Sequence, residues 1–264
     1  MTDSSAPLIE VDGEPATADA LATVLPGYGH FTAMQVRDGR VRGLRFHLAR
    51  LDGSTRELFG TGVDGDRVRG AVRHALSSAG RTDASVRVHV YQPDEAPGAP
   101  VTLVVAVRPP ADRTDRAHRV RSVPYWRPAA HIKHLGGFGQ GYHLRRVEAD
   151  GFDEALLTGP GGEIAEGAVT NIGFVTGGTV VWPTAPHLRG ITLQLLEELL
   201  DAKGIPQLRR SLRLTDVPAY DGAFLLNSRG TSPISLIDDT PLATDAELLA
   251  TVAALYAGAP WDAI

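Results

Sequence analysis

Two stretches, Gly162-Glu-Ile-Ala-Glu-Gly-Ala-Val-Thr-Asn171 and Leu188-Arg-Gly-Ile-Thr192, carry most of what this sequence reveals. The first alternates polar and apolar residues, so we expect Glu166 to project from the end of a strand. The second opens an apolar helix at Gly190-Ile191-Thr192. Helix N-termini present N–H groups and a positive dipole that suit a phosphate group, and Thr192 adds a hydroxyl. Together they predict a carboxylate and an anion site.

Upstream of these stretches stands Lys133, one of only two lysines among 26 basic residues. Arginine has replaced lysine almost everywhere, yet arginine cannot form a Schiff base because it stays protonated and delocalised. Lys203 precedes Gly204 at a predicted helix end, where a cation meets the negative end of the helix dipole. Lys133 is therefore a candidate for amine chemistry. The alternative is that coding bias alone explains the high arginine content.

Composition sets the broad class of the protein. The chain has 264 residues, with 43% hydrophobic and 22% charged residues, as is ordinary for globular proteins. A net charge of −5 argues against a nucleic-acid partner, and the lack of cysteine excludes disulfides and thiolate chemistry. No apolar run is long enough to span a membrane, and residues 1–5 lack signal-peptide character. We expect a cytoplasmic protein without a metal, since His131, His134 and His143 fit no zinc pattern.

Hydrophobic periodicity predicts two α+β domains, residues 1–112 and 113–264, joined by a proline-rich, charged linker that begins near Arg108. Predicted strands in the first domain are Leu8–Val11, His30–Val36, Ser85–Tyr91 and Val101–Val107, and its predicted helices are Phe46–Phe59 and Arg67–Ser78. In the second domain the predicted strands are Arg119–Val123, Glu154–Thr158, Asn171–Val175, Thr179–Trp182 and Ala223–Leu226. The predicted helices there are Leu193–Leu200 and Ala243–Leu255.

The lysine, the carboxylate and the anion site suit pyridoxal 5′-phosphate chemistry when taken together. The Lys133 amine would bind the cofactor as a Schiff base and shuttle the substrate proton. Glu166 would lie beside the pyridine nitrogen and keep it protonated, while Gly190–Thr192 would hold the phosphate. Each residue has a simpler alternative role: Glu166 could cap a turn, and Thr192 could be an ordinary early-helix residue.

Four motifs occur in register: Lys133, Asp153-Glu-Ala-Leu-Leu157, Glu166-x4-Asn171 and Leu188-x-Gly-Ile-Thr192, with Glu166 placed 33 residues after Lys133. In this order they resemble the class IV, or fold-type IV, pyridoxal-phosphate enzymes. This family includes branched-chain and D-amino-acid aminotransferases and aminodeoxychorismate lyase. The resemblance covers about residues 27–240. It implies a small N-terminal α/β domain, a larger C-terminal domain built on a β-barrel-like sheet, and a homodimer.

The same resemblance implies roles for individual residues. The segment His47-Leu-Ala-Arg50-Leu51 resembles the family's phosphate-binding arginine motif, and Asn227-Ser228 resembles its last phosphate-side loop. The implied cofactor-binding residues are Arg50, Lys133, Glu166, Asn171, Gly190, Ile191, Thr192, Asn227 and Ser228, with Lys133 also catalytic. The implied substrate contacts are Tyr28, Phe31 and Arg229.

Departures from the family pattern bear on the choice of reaction. Gly136-Gly137-Phe138 stands where branched-chain aminotransferases carry an Asn-Tyr pair, and the Tyr28–Thr32 segment lacks a glutamate. The primary prediction is an aminotransferase that acts between an amino acid or amine and a 2-oxo acid. The alternative is aminodeoxychorismate lyase, which forms p-aminobenzoate and pyruvate from 4-amino-4-deoxychorismate. A third possibility is a protein that has the fold of the family but has lost the cofactor chemistry and binds a ligand or partner. The presence of Lys133 argues against this possibility.

Overall fold

The structure, a computed structural model, describes residues 6–22, 24–94, 96, 98–111 and 116–264. Contacts divide the chain into two compact units. The first comprises Met1–Asp112, Ile132–Gly136 and Pro260–Ile264, and the second Arg113–His131 and Gly137–Ala259. The segment containing Lys133 thus groups with the N-terminal residues. The boundary expected between residues 112 and 113 lies outside the described residues, and the division into two domains at that point stays a prediction.

The helices and strands follow in chain order. The helices are α1 Ala18–Ala22, α2 Leu44–Phe59, α3 Gly65–Ser78, α4 Phe138–Ala149, α5 Ile191–Ala202 and α6 Glu247–Ala257, with a 3-10 helix at Leu214–Ala219. The strands are β1 Leu8–Val11, β2 Glu14–Pro15, β3 His30–Arg37, β4 Arg40–Val41, β5 Ala84–Tyr91, β6 Thr102–Arg108, β7 His118–Pro124, β8 Glu154–Thr158, β9 Ile164–Gly167, β10 Asn171–Thr176, β11 Thr179–Pro183, β12 Gln207–Arg210, β13 Gly222–Asn227, β14 Gly230–Ile237, β15 Thr240–Pro241 and β16 Asp262–Ala263. No helix in the described ranges is long and apolar enough to cross a bilayer.

The first unit is built on an antiparallel sheet with the strand order β16-β4-β3-β5-β6-β1-β2. Burial alternates residue by residue along β3, because successive side chains point to opposite faces of a strand. Met34 and Val36 therefore lie in the same hydrophobic core as Leu51 of α2 and Val72 of α3. The opposite set of β3 side chains, which includes Phe31, is only half-buried.

A short extended segment around Lys133 pairs with the beginning of β3. The Lys133 carbonyl accepts the Phe31 N–H at 2.8 Å, and the Leu135 N–H donates to the Gly29 carbonyl at 2.9 Å. Gly29 is needed here, because a Cβ at this position would lie 2.7 Å from the carbonyl oxygen of Val90. The backbone of the candidate lysine is therefore fixed against a regular strand.

The second unit contains a mixed sheet with the order β12-β11-β10-β13-β14-β7-β8-β9, and β15 pairs with β14. Strands β8 and β9 are buried throughout, as expected for strands covered on both faces. Residues of β9, at one edge, also approach β10 and β11 near the opposite edge. The sheet therefore curls towards closure, in agreement with the predicted β-barrel-like architecture.

Candidate functional site

Glu166 lies near the end of β9 and is 4% exposed. Its Oε1 accepts a hydrogen bond from Arg127 Nε at 2.9 Å, and its Oε2 accepts the backbone N–H of Leu188 at 3.1 Å. Both carboxylate oxygens are thus held by groups distant in sequence. The predicted strand-end position of Glu166 is confirmed.

Asn171, the first residue of β10, holds the other side of the same loop. Its Nδ2 donates to the Leu188 carbonyl at 2.7 Å. A Cβ at Gly190 would lie only 2.1 Å from Asn171 Oδ1, so a larger residue than glycine would displace the asparagine. Glu166 and Asn171 together fix the backbone that leads into α5.

The beginning of α5 is tied to the β13–β14 turn. Thr192 is buried, and its Oγ1 donates to the Asn227 carbonyl at 2.7 Å. Asn227 Oδ1 in turn accepts the Arg229 N–H at 2.9 Å. Ser228 is half-buried in this turn, whereas the Arg229 side chain is exposed. The helix start and the turn therefore form one hydrogen-bonded structure.

Arg50 belongs to a polar network in the first unit. Its Nη2 donates a hydrogen bond to Thr32 Oγ1. The same hydroxyl forms a second hydrogen bond with His47 Nδ1, at 2.6 Å. His47 and Arg50 are three residues apart in α2 and share a helix face. Burial, and then the charge of Arg50, lower the pKa of His47 well below its usual value. A neutral histidine and a buried threonine therefore orient the predicted phosphate-binding arginine.

Lys133 lies against Phe31, one of the predicted substrate contacts. Its Nζ is 4.9 Å from the centre of the Phe31 ring. The His89 ring stacks on the Phe31 ring, with the two ring centres 5.3 Å apart. Burial, followed by the charges of Arg87 and Arg108, lowers the pKa of His89 to about 4. Tyr28, another predicted substrate contact, is 67% exposed.

Sequence reasoning gave neither Arg127 nor Glu154 a role at the cofactor site. Glu154 is a buried carboxylate in the otherwise mostly apolar β8, and it accepts the Ala168 N–H at 3.1 Å and the Thr170 hydroxyl at 3.0 Å. Burial raises its pKa to about 7, although these donors favour its charged form. The two hydrogen bonds from Ala168 and Thr170 to Glu154 fix the turn that leads from Glu166 to Asn171. Its presence within a mostly apolar strand was a signal available in the sequence.

Two sets of predicted residues are thus each assembled within their own unit. The second unit joins Glu166, Asn171, Gly190, Thr192 and Asn227 through a single network. The first unit places Lys133 beside Phe31, and it holds Arg50 on Thr32. The functional roles of these residues remain predictions.

The amino-transferase class IV family matches residues 29–237 of the chain. The chain belongs to the class IV aminotransferase family. This membership confirms the predicted family and the predicted aminotransferase class of enzyme.

The relatives of this chain are named for different activities within the family. A bifunctional aminodeoxychorismate lyase / D-amino acid transaminase of Mycobacterium tuberculosis is 30% identical over 236 residues, and the match covers 80% of this chain and 81% of that protein. The crystal structure of a branched-chain aminotransferase from Thermoproteus uzoniensis with norvaline superposes with a TM-score of 0.84 at 21% identity, covering 95% of this chain and 93% of that one. A PLP-bound hypothetical aminotransferase from M. tuberculosis gives a TM-score of 0.81 at 24% identity and covers 95% and 97% of the two chains. These likenesses confirm the predicted fold.

Proposed function

We propose that the protein transfers an amino group between an amino acid or amine and a 2-oxo acid, with Lys133 as the catalytic residue. Pyridoxal phosphate, when bound, supplies the electron sink for this chemistry. The Lys133 Nζ would attach the cofactor and move the substrate proton. The backbone of Lys133 is hydrogen bonded to β3, which fixes the point from which its side chain extends.

The observation that carries the proposal is the network that converges on the start of α5. Gly190 contributes no side-chain cap, and α5 is a helix of 12 residues with Thr192 buried in its first turn. The N–H groups and dipole at such a helix start fit a phosphate dianion. Glu166, held at the same loop, supplies a carboxylate of the kind that a protonated ring nitrogen requires. The donor set thus fits pyridoxal phosphate. Ile191, Asn171, Asn227 and Ser228 would line the cofactor, and Arg50 would add a cation for its phosphate.

The lyase reaction remains the second candidate for a specific reason. The M. tuberculosis relative named above is a bifunctional lyase and D-amino acid transaminase. In addition, Gly136-Gly137-Phe138 supplies no tyrosine hydroxyl after the lysine, and Phe138 is 84% exposed. Both reactions would use the same lysine, carboxylate and phosphate-binding groups.

A half-reaction experiment separates the two candidates. Purified protein with bound cofactor is mixed with a panel of amino acids and amines, and conversion of the cofactor to its amine form is followed by absorbance. A parallel assay measures p-aminobenzoate from aminodeoxychorismate. Conversion by at least one donor supports the transaminase. Formation of p-aminobenzoate without any conversion would replace it with the lyase.

We also propose a cytoplasmic homodimer that uses small-molecule partners, with neither nucleic acid nor membrane as a partner. The cysteine-free composition and the net charge of −5 support the location and the partners. An aromatic cluster in the second unit supports the dimer: Phe138 stacks on Tyr142 at 6.1 Å, and His143 contacts both Tyr142 and Tyr125. Exposed aromatic residues are enriched at protein interfaces. Light scattering should give twice the 28.1 kDa chain mass, and a fully active monomer would exclude the dimer.

A further inference from the structure

Arg127 forms a buried ion pair that none of the sequence motifs includes. It follows β7 and is 7% exposed, while its partner Glu166 is 4% exposed. The Nε of Arg127 donates to Glu166 Oε1 at 2.9 Å, and its Nη2 donates to the carbonyl oxygen of Ala130. The guanidinium is therefore anchored to the backbone at one end and directed at the carboxylate at the other.

The Arg127–Glu166 pair is far less exposed to solvent than another arginine–glutamate ion pair of the same unit. Arg213 and Glu163 lie 3.2 Å apart, but their side chains are 57% and 26% exposed. Exposed pairs of this kind contribute little to stability. A buried pair carries a large desolvation penalty, and well-packed apolar residues often stabilise a fold as much or more. Stability alone therefore gives no strong reason for a buried Arg127–Glu166 pair.

We propose that Arg127 is a positioning residue that orients Glu166 towards the ring nitrogen of the cofactor. This inference rests on the proposed function, in which Glu166 is the partner of that nitrogen. Arg127 fixes Oε1, and the Leu188 N–H fixes Oε2, so the carboxylate plane has one orientation. Each carboxylate oxygen keeps a further lone pair for another donor. The pair thus presents a carboxylate already oriented to accept a hydrogen bond.

A purely structural role for Arg127 makes different predictions. Through its bond to Ala130, Arg127 also shapes the segment that precedes Lys133. If this were its whole role, its removal would weaken cofactor binding equally with and without Glu166. If Arg127 acts through Glu166, its removal should have little further effect once Glu166 has lost its charge.

The test uses Arg127→Gln, Arg127→Lys, Glu166→Gln and the Arg127→Gln/Glu166→Gln double variant, with Arg213→Gln as the matched control. Circular dichroism first establishes that each apoprotein is folded. Titration with pyridoxal phosphate then gives its dissociation constant. Nitrogen-15 NMR of ring-labelled cofactor reports the protonation of the ring nitrogen, which a merely structural change would not alter.

We expect Arg127→Gln to raise the dissociation constant about tenfold or more, as for the loss of a charge-assisted hydrogen bond. Its nitrogen-15 shift should move towards the unprotonated value, as in Glu166→Gln, and the double variant should resemble Glu166→Gln alone. Arg127→Lys keeps the charge but lacks the planar fork, so its shift should lie between those of the wild type and Arg127→Gln. Arg213→Gln should remain within about fivefold of the wild type.

Two results would overturn the inference while the proposed function stands. One is an unchanged ring-nitrogen shift in the Arg127 variants, and the other is an equal effect of Arg127→Gln in the wild-type and Glu166→Gln backgrounds. If Arg127→Gln does not fold, the shift in Arg127→Lys carries the same test. Failure of the wild-type protein to bind the cofactor would overturn the proposed function and this inference together.

Discussion

Arg50 and Glu166, the predicted partners of the cofactor's phosphate and ring nitrogen, are held in place by different chemistry. Arg50 is held by the hydroxyl of Thr32, within a network whose histidine, His47, has a lowered pKa. Glu166 is held by the opposite charge of Arg127. A hydrogen bond from a charged group to a neutral hydroxyl contributes about 1.5–3 kcal/mol, whereas removing one partner of a buried ion pair costs about 3–5 kcal/mol. The surroundings of Glu166 should therefore tolerate substitution less well than those of Arg50.

The largest expected effect is at Glu166. Glu166→Gln keeps the shape of the side chain but removes its charge, so turnover should fall ~100-fold or more. The protein should still fold, with a lower stability because Arg127 loses its buried partner. Glu163→Gln is the control, because Glu163 stands three residues earlier and pairs with Arg213 near the surface. Steady-state kinetics and circular dichroism provide the measurement. Near-normal turnover in a folded Glu166→Gln protein would reduce Glu166 to a structural residue.

A smaller effect is expected at Arg50. Arg50→Ala should weaken cofactor binding about 10- to 150-fold, the equivalent of about 1.5–3 kcal/mol for a charge-assisted bond. Thr32→Val keeps the arginine and its charge but removes its hydroxyl partner, so it should weaken binding less than Arg50→Ala does. Titration of the apoproteins gives both values. Equal affinity in the wild type and Arg50→Ala would remove Arg50 from the site.

The third prediction concerns the pH dependence of stability at Glu154. Its pKa is raised from 4.5 to about 7 mainly by burial, so the unfolded chain loses this proton at lower pH than the folded one. The stabilising contribution is complete below the unfolded pKa and is lost as pH rises through the folded pKa. Between about pH 5 and pH 7 the free energy of unfolding should fall by about 2 kcal/mol from this group.

Glu154→Gln should remove this part of the pH dependence. Urea unfolding of the wild type and the variant at several pH values isolates the contribution as the difference between the two curves. A difference that stays constant from pH 5 to pH 8 would mean that Glu154 does not titrate in this range.

Much of the fold was predictable because burial follows the periodicity of each element. Strand β1 has the predicted bounds, Leu8–Val11, and α2 was predicted to within two residues of its start. Helix α4 was missed because it begins among closely spaced glycines, which have low helix propensity. It is stabilised instead by packing, with Val147 in the same core cluster as Leu157 of β8.

Other errors have similar physical causes. Strand β14 was missed because it contains Pro233, and proline weakens a strand signal. Helix α6 begins at Glu247, four residues after the predicted start at Ala243, and residues 243–246 are not helical. Sequence periodicity therefore located elements better than it located their ends.

At the candidate site, the order of the motifs predicted Glu166, Asn171 and the start of α5, which the structure joins in one network. Arg127 could not be predicted in the same way. Its pairing with Glu166 joins residues 39 apart in sequence. Arginine is also so common in this chain that a single one gives no signal. Only the three-dimensional structure identifies which arginine is buried against a carboxylate.

The most direct test of the central claim is to locate the covalent attachment of the cofactor. The purified protein is incubated with pyridoxal phosphate, reduced with borohydride and mapped by peptide mass spectrometry. We predict that the phosphopyridoxyl group lies on the peptide containing Lys133, and that Lys133→Ala abolishes this labelling. The only other lysine, Lys203, is the C-cap residue of α5 and serves as the internal control. Modification of Lys203 with Lys133 left unmodified would contradict the assignment of Lys133 as the catalytic residue.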